Sequence, residues 1–145
     1  MKYWGEHEVL LYAREGWDAD KIGLSPPPLC TSDGWLIMYH GVLQMTSISS
    51  YKASYRIKLA LLDLENPRKV LHRYEGWVFG PREMYERSGD VNDVVFPCGW
   101  VLVDDEIRIY YRSGDVSLSV TSTKISDILE CIHKCPETQC PDGIL

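Results

Sequence analysis

Several features that would place a sequence quickly are missing from this one. No stretch approaches the ~18 consecutive apolar residues of a membrane span. The opening Met1-Lys2-Tyr3-Trp4-Gly5-Glu6 has no basic flank followed by an apolar run, so neither a signal peptide nor a membrane partner is expected. Positive charge is in deficit: 15 Lys and Arg stand against 21 Asp and Glu, a formal net charge of −6, with no basic cluster as a local exception. Such a surface repels a phosphate backbone, which excludes a nucleic-acid partner, and acidity spread along the chain serves solubility. The five cysteines include no C-x2-C pair. Cys30 and Cys98 stand alone, and Cys131, Cys135 and Cys140 form C-x3-C-x4-C beside His133, a spacing unlike that of zinc sites, so no metal is expected. An odd count without a disulfide framework suits a reducing, cytoplasmic setting.

What is present reads as an ordinary globular chain. With 45% hydrophobic and 25% charged residues in 145 positions, a single domain over 1–145 can bury a sizeable core, residues 134–145 forming a tail. Strand signals dominate. His7 to Arg14 is a β-prone run. Trp35 to Val42 is almost continuously apolar, as a strand buried on both faces would be. Ser54 to Leu64 alternates, with Tyr55, Ile57, Leu59 and Leu61 on one face. Lys69 to His72 is a short strand. Asp93 to Val103 reads as two strands broken around Pro97-Cys98-Gly99. Glu106 to Arg112 and Val116 to Thr121 complete the set, with Asp104-Asp105 as a hairpin turn. Helical spacing is confined to Ile125–His133, where Ile125, Ile128, Leu129 and Ile132 share a face and Ser126 is the expected N-cap.

An internal repeat narrows the fold. Asp33-Gly34-Trp35-Leu36-Ile37-Met38-Tyr39-His40 lines up with Asp104-Asp105-Glu106-Ile107-Arg108-Ile109-Tyr110-Tyr111. Each is followed by a second alternating strand, carrying Leu59 and Leu61 in one copy and Leu118 and Val120 in the other. One antiparallel sheet per unit, stacked about an axis, is the design of a β-propeller. The expected fold is all-β: about three blades of a propeller with one short C-terminal helix.

Candidate site residues follow from their places in this pattern. Lys21 lies in a Gly/Pro-rich loop, where an ammonium could meet an anion as a point charge. His40 ends a buried strand just before Gly41, which puts its ring at the mouth of the sheet. Tyr51 and Tyr55 are either strand-packing aromatics or site residues. Phe96 offers an apolar face to a ligand or to the core, and Asp115 follows Gly114 where turns favour aspartate. Glu83 and Glu86 read as solvated loop carboxylates.

Gly16-Trp17, Asp20-Lys21-Ile22-Gly23, Pro26-Pro27-Pro28, Gly34-Trp35-Leu36, Tyr39-His40-Gly41-Val42, Tyr55-Arg56, Leu61-Leu62-Asp63-Leu64, Asn66-Pro67, Val94-Val95-Phe96-Pro97-Cys98-Gly99 and Tyr110-Tyr111 occur in this order. Together, from about Trp4 to Leu129, they resemble the C-terminal part of glycoside hydrolase family 130, the β-mannoside phosphorylases and hydrolases. The resemblance implies a five-bladed propeller with a central pocket, in which a β-mannoside is cleaved by inorganic phosphate as co-substrate or by water, without a cofactor. It implies a phosphate-binding role for Lys21, a sugar-and-phosphate role for His40 and Tyr55, sugar stacking for Phe96 and sugar hydrogen bonds for Asp115.

Three departures stand out. Leu24-Ser25, Lys58 and Arg112 occupy positions where the family favours glycine, and the larger side chains are expected to alter or obstruct a sugar pocket. The family's general acid and its phosphate-binding arginine–asparagine pair come from an N-terminal half to which no residue here corresponds. Asp18, Asp20, Glu83 and Glu86 are not matched to the acid. The expectation is a truncated glycoside phosphorylase-like protein with part of the pocket, inactive alone, and joined by a partner chain or by further copies of itself. The alternative is a non-catalytic carbohydrate-binding or structural module that self-associates.

Overall fold

A computed structural model describes residues 5–47 and 50–134; of residues 45–47 and 50–52 it describes the backbone alone. Two antiparallel sheets carry the described chain. The first contains β1 (Lys21–Leu24), β2 (Leu29–Cys30), β3 (Trp35–Ser47), β4 (Ser50–Leu62) and β5 (Val70–Arg73), in the order β1-β3-β4-β5 with β2 also against β3. The second is the meander β6 (Val95–Val103), β7 (Glu106–Ser113), β8 (Ser117–Lys124). A single helical turn, α1 (Met84–Arg87), precedes the second sheet, and α2 (Ile125–Lys134) follows it.

The alternation of side chains along each strand decides how the sheets pack. Leu36, Met38, Ile57, Leu59 and Leu61 leave one face of the first sheet and meet Val95, Ile107, Ile109 and Tyr111 from the second, with Tyr74, Val78, Phe79 and the α2 residues Ile128 and Ile132 closing the cluster. Each of these aliphatic side chains contributes about 1.5–3 kcal/mol of burial. On the opposite face of the first sheet, Ile37, Tyr39, Ala60 and Leu62 pack with Leu11, Ile22, Trp35 and Val70. The first sheet is therefore covered on both sides, which is why Trp35–Val42 is so uniformly apolar. Sheets stacked face to face in this way are the packing of adjacent propeller blades.

The repeat is real in three dimensions. Trp35 and Glu106 each open the strand that follows a turn, and each strand returns through a hairpin, β3 to β4 and β7 to β8. The equivalence fails in the second copy's return strand. Leu59 and Leu61 are buried, but Leu118 is 85% and Val120 57% exposed, because the inward positions of β8 are Ser117, Ser119, Thr121 and Thr123.

Four other expectations need correction. Residues His7 to Arg14 form no strand: the segment has no ladder partner and is held by side chains, with Glu6 paired to Arg68, Arg14 to Glu75, and the Tyr12 carbonyl accepting from Arg73. Asp93–Val103 is not two strands, since β6 runs through Pro97-Cys98-Gly99 and absorbs it as a bulge against β7. Ser126 is not the N-cap of α2. Asp105, in the β6–β7 turn, does that work: its carbonyl accepts from the Ile125 N–H at 2.8 Å and its carboxylate from the Ser126 N–H at 3.2 Å. Glu86 is not solvated; it is 2% exposed, accepts from the backbone N–H groups of Arg82 and Glu83, and receives the Tyr111 hydroxyl at 2.7 Å. Of the cysteine-rich tail, Cys131 is half-buried, while Cys135 and Cys140 lie outside the described residues.

Candidate functional site

At one end of the seam between the sheets lies a cavity of about 430 Å³ lined by Lys21, His40, Tyr55, Val91, Val94, Phe96, Arg112 and Asp115. All five residues singled out from the sequence reach it. Lys21, His40 and Tyr55 come from β1, β3 and β4 of the first sheet; Phe96 comes from β6, and Asp115 from the β7–β8 turn of the second. Tyr51 lies where the side chains are outside the described residues.

Lys21 is not in a loop as expected. It opens β1, opposite Val42 of β3, and its side chain is exposed toward the cavity. Two residues on, Gly23 is the register partner of His40. A Cβ on Gly23 would stand 2.5 Å from His40 Cε1 and 2.6 Å from Nε2, so the glycine makes the room in which the imidazole lies. The ring is then flanked by Phe96, with centroids 5.0 Å apart, and by Tyr55 at 6.2 Å. Ser25 Oγ reaches His40 Nδ1 at 3.4 Å, leaving Nε2 as the ring's other hydrogen-bonding atom. Burial holds the His40 pKa below its ordinary 6.5, and the Lys21 ammonium lowers it further. Around neutral pH the site therefore presents a cation beside a neutral imidazole.

The next residue along β3 explains how the strand bearing Lys21 is anchored. Gly41 faces the 17–18 backbone so closely that a Cβ would lie 2.6 Å from Asp18 Cβ and 2.9 Å from the Trp17 carbonyl oxygen. Asp18, fully buried, takes Lys58 Nζ on one carboxylate oxygen at 3.0 Å and Arg73 Nη2 on the other at 2.7 Å. Arg73 also donates from Nε to the Tyr39 hydroxyl at 2.9 Å, and burial pushes that hydroxyl's pKa up to about 12. Lys58 was expected to crowd the sugar pocket. It does not, because it pairs with Tyr39 across β3 and β4 and so points to the face opposite Ile57, away from the cavity.

On the second sheet, Gly114 and Asp115 both adopt left-handed backbone, φ +55° and +61°. A Cβ on Gly114 would stand 2.8 Å from the Tyr85 carbonyl oxygen; its carbonyl accepts from Val91 N–H and its N–H donates to Val94 carbonyl. The turn is thus locked to the segment after α1, and Asp115 is held firmly at the cavity rim. Arg112, another position where glycine was expected, does reach the cavity. Its Nε meets Asp115 Oδ1 at 2.8 Å and its Nη2 donates to the Asp115 carbonyl at 2.8 Å. Sequence reading flagged Arg112 as an obstruction but missed this pairing, and it missed Val91 and Val94 altogether. The i to i+3 spacing of opposite charges across a Gly turn was the available signal.

Similarity to known proteins identifies the family. The family model for β-1,4-mannooligosaccharide phosphorylase, glycoside hydrolase family 130, matches residues 1–134. The chain is 38% identical over 135 residues to a β-1,4-mannooligosaccharide phosphorylase of Ruminococcus albus, covering 91% of this chain and 39% of that protein. It is 33% identical to a 1,2-β-oligomannan phosphorylase of Thermoanaerobacter, covering 88% and 41%. The solved β-1,2-mannobiose phosphorylase of Listeria innocua, in complex with β-1,2-mannobiose, superposes with a TM-score of 0.78 at 36% identity, covering 89% of this chain and 35% of that structure. The chain thus spans well under half the length of these relatives, and its two sheets are a portion of their β-propeller.

Proposed function

Because the chain belongs to glycoside hydrolase family 130, we propose that the cavity between its two sheets is the phosphate-facing part of a β-mannoside pocket. The observation that carries this reading is the convergence of Lys21, His40, Tyr55, Phe96 and Asp115, drawn from five separate stretches of sequence, on one space. The Lys21 ammonium, the Tyr55 hydroxyl and an imidazole nitrogen of His40 supply hydrogen-bond donors for phosphate oxygens. Phe96 supplies an apolar face for a sugar ring. In phosphorolysis a phosphate oxygen attacks the anomeric carbon while the bond to the leaving oxygen breaks and that oxygen takes up a proton. No uncommitted carboxylic acid stands among the described lining residues to give that proton. Asp115 is the one carboxylate among the described lining residues, and it serves as acceptor to the Arg112 guanidinium. A polypeptide of these 145 residues therefore binds phosphate but does not turn over mannosides unless another chain supplies an acid.

Calorimetric titration with inorganic phosphate tests the binding half. Lys21→Ala should weaken it roughly 10-fold, as expected for the loss of a charge-assisted hydrogen bond. Unchanged affinity would remove the assignment. Phosphate-dependent release of mannose 1-phosphate by the purified chain alone would overturn the catalytic half.

A second reading, a self-associating module, is favoured by the outer face of the second sheet. Val101, Val103, Tyr110, Leu118 and Val120 are all exposed there, on registers that share one face. Exposed apolar side chains of this kind, here alternating with Glu106, Arg108 and Lys124 on the same face, are what a neighbouring blade covers in a closed ring. A homodimer that buries it is expected in sedimentation, and Leu118→Lys should shift the chain to monomer. A wild-type monomer at high micromolar concentration would exclude this reading.

A further inference from the structure

The cavity lining carries a second cation, Arg112, beyond the Lys21 ammonium assigned to phosphate. Lys21 stands on one wall and Arg112 on the other, two cations to the single carboxylate of Asp115 among the described lining residues. That carboxylate is already engaged, with Oδ1 on Arg112 Nε at 2.8 Å, and the same guanidinium holds the Asp115 carbonyl through Nη2 at 2.8 Å. Asp115 keeps Oδ2 for a sugar hydroxyl, but its charge is already offset by the guanidinium. Arg112 has five N–H donors and spends two on Asp115, leaving three at a half-exposed position in the cavity lining. Phe96, Val91 and Val94 add apolar surface to the same lining. A ligand that satisfies every one of these groups has an anion for Lys21, a ring for Phe96, and a second anionic group for Arg112.

We propose that Arg112 is a specificity-determining residue that makes the second-sheet side of this cavity select a sugar which itself carries an anionic group, in preference to neutral mannose. The proposal rests on the reading of the cavity as a phosphate and sugar pocket, and it adds the class of sugar. The anion on the ring is a carboxylate or a phosphate; both offer the paired oxygens that a guanidinium fork recognises, whereas a hydroxyl does not. The site is rigid enough to discriminate, because Gly114 packs backbone against backbone on Gly89 and Tyr85, fixing the turn that holds Asp115 and, through it, Arg112.

The test is a set of calorimetric titrations of the full chain with four probes: inorganic phosphate, mannose, mannuronate and mannose 6-phosphate. Mannuronate or mannose 6-phosphate should bind at least about 10-fold more tightly than mannose, and the arm that does so identifies the anion. Arg112→Gln, which keeps a polar hydrogen-bonding side chain but removes the charge, should abolish that ratio; Arg112→Gly should also release Asp115 and strengthen mannose binding. Thermal melts of both variants within a few degrees of the parent would show that they are folded, and Arg112 is exposed enough for substitution to be tolerated. Mannose binding as tightly as the anionic sugars, with phosphate still bound through Lys21, overturns this inference and leaves the pocket reading intact. An Arg112→Gln variant that keeps the ratio overturns it as well. Binding of none of the four probes overturns both.

Discussion

Asp18→Asn should cost this protein far more stability than a single charge change usually does. Asp18 is completely buried, and its two oxygens take two cations that are themselves almost fully buried, Lys58 at 2% and Arg73 at 5% side-chain exposure. Removing the carboxylate charge leaves two buried cations without the carboxylate that pairs with both. Breaking a buried pair from one side typically costs about 3–5 kcal/mol, because the partner's desolvation is no longer offset. At 145 residues that corresponds to a fall in melting temperature of roughly 10 °C or more. The same geometry predicts an asymmetry. Lys58→Met removes one cation, keeps most of the volume and leaves Asp18 in a one-to-one pair with Arg73, so it should cost less than about 1.5 kcal/mol. Circular-dichroism melts and urea titrations of the two variants measure the difference. A loss under 1 kcal/mol for Asp18→Asn, or equal losses for both variants, would refute the idea that this carboxylate balances both charges.

The two glycines of β1 and β3 should separate binding from folding. An alanine at Gly23 collides with the far end of a flexible side chain, so His40 turns away, phosphate affinity drops by roughly 10-fold and the melting temperature moves by only a few degrees. An alanine at Gly41 collides with the Trp17 carbonyl and the Asp18 backbone, which cannot step aside, and should destabilise by about 1–3 kcal/mol. The reverse order of effects would show that the close approaches do not have these roles. His40 should titrate below its ordinary 6.5 in NMR spectra. Since its folded pKa is the lower one, the unfolded chain binds the extra proton first, and the stability held by the neutral ring is lost as pH falls through 6.5 toward the folded value. Lys21→Ala should raise the His40 pKa only part of the way back, because burial is the larger cause; a wild-type His40 titrating at 6.5 or above would contradict the site's electrostatics.

The strands were legible where one rule governed them. Trp35–Val42 and the run through Tyr55, Ile57, Leu59 and Leu61 are long, so their periodicity is unmistakable, and both belong to strands of the first sheet. β1, β2 and α1 have four, two and four residues. Nothing that short shows a period, and the Gly and Pro around β1 and β2 read as loop. His7–Arg14 misled in the other direction. Its composition suits a strand, yet composition cannot say whether a partner edge is available, and here ion pairs and one carbonyl bond hold the segment instead.

The site divides along the same line. Lys21, His40, Tyr55, Phe96 and Asp115 could be named because a pattern of short motifs carried them together, and their convergence between two sheets follows from the repeat that placed the sheets face to face. Lys58 and Arg112 look alike in sequence, each a cation in a strand where glycine was expected. Their fates are opposite, and the register decides it. Lys58 sits opposite Tyr39, on the β4 face that carries Ala60 and Leu62, where its charge is met by a carboxylate 40 residues away. Arg112 sits opposite Phe96, one residue before the β7 strand ends, where the hairpin brings Asp115 back within three residues. A one-residue slip in either strand would exchange inward for outward positions. Sequence could supply the two charges, but the pairing of strands determines that one is spent on holding the first sheet together while the other is left facing the ligand.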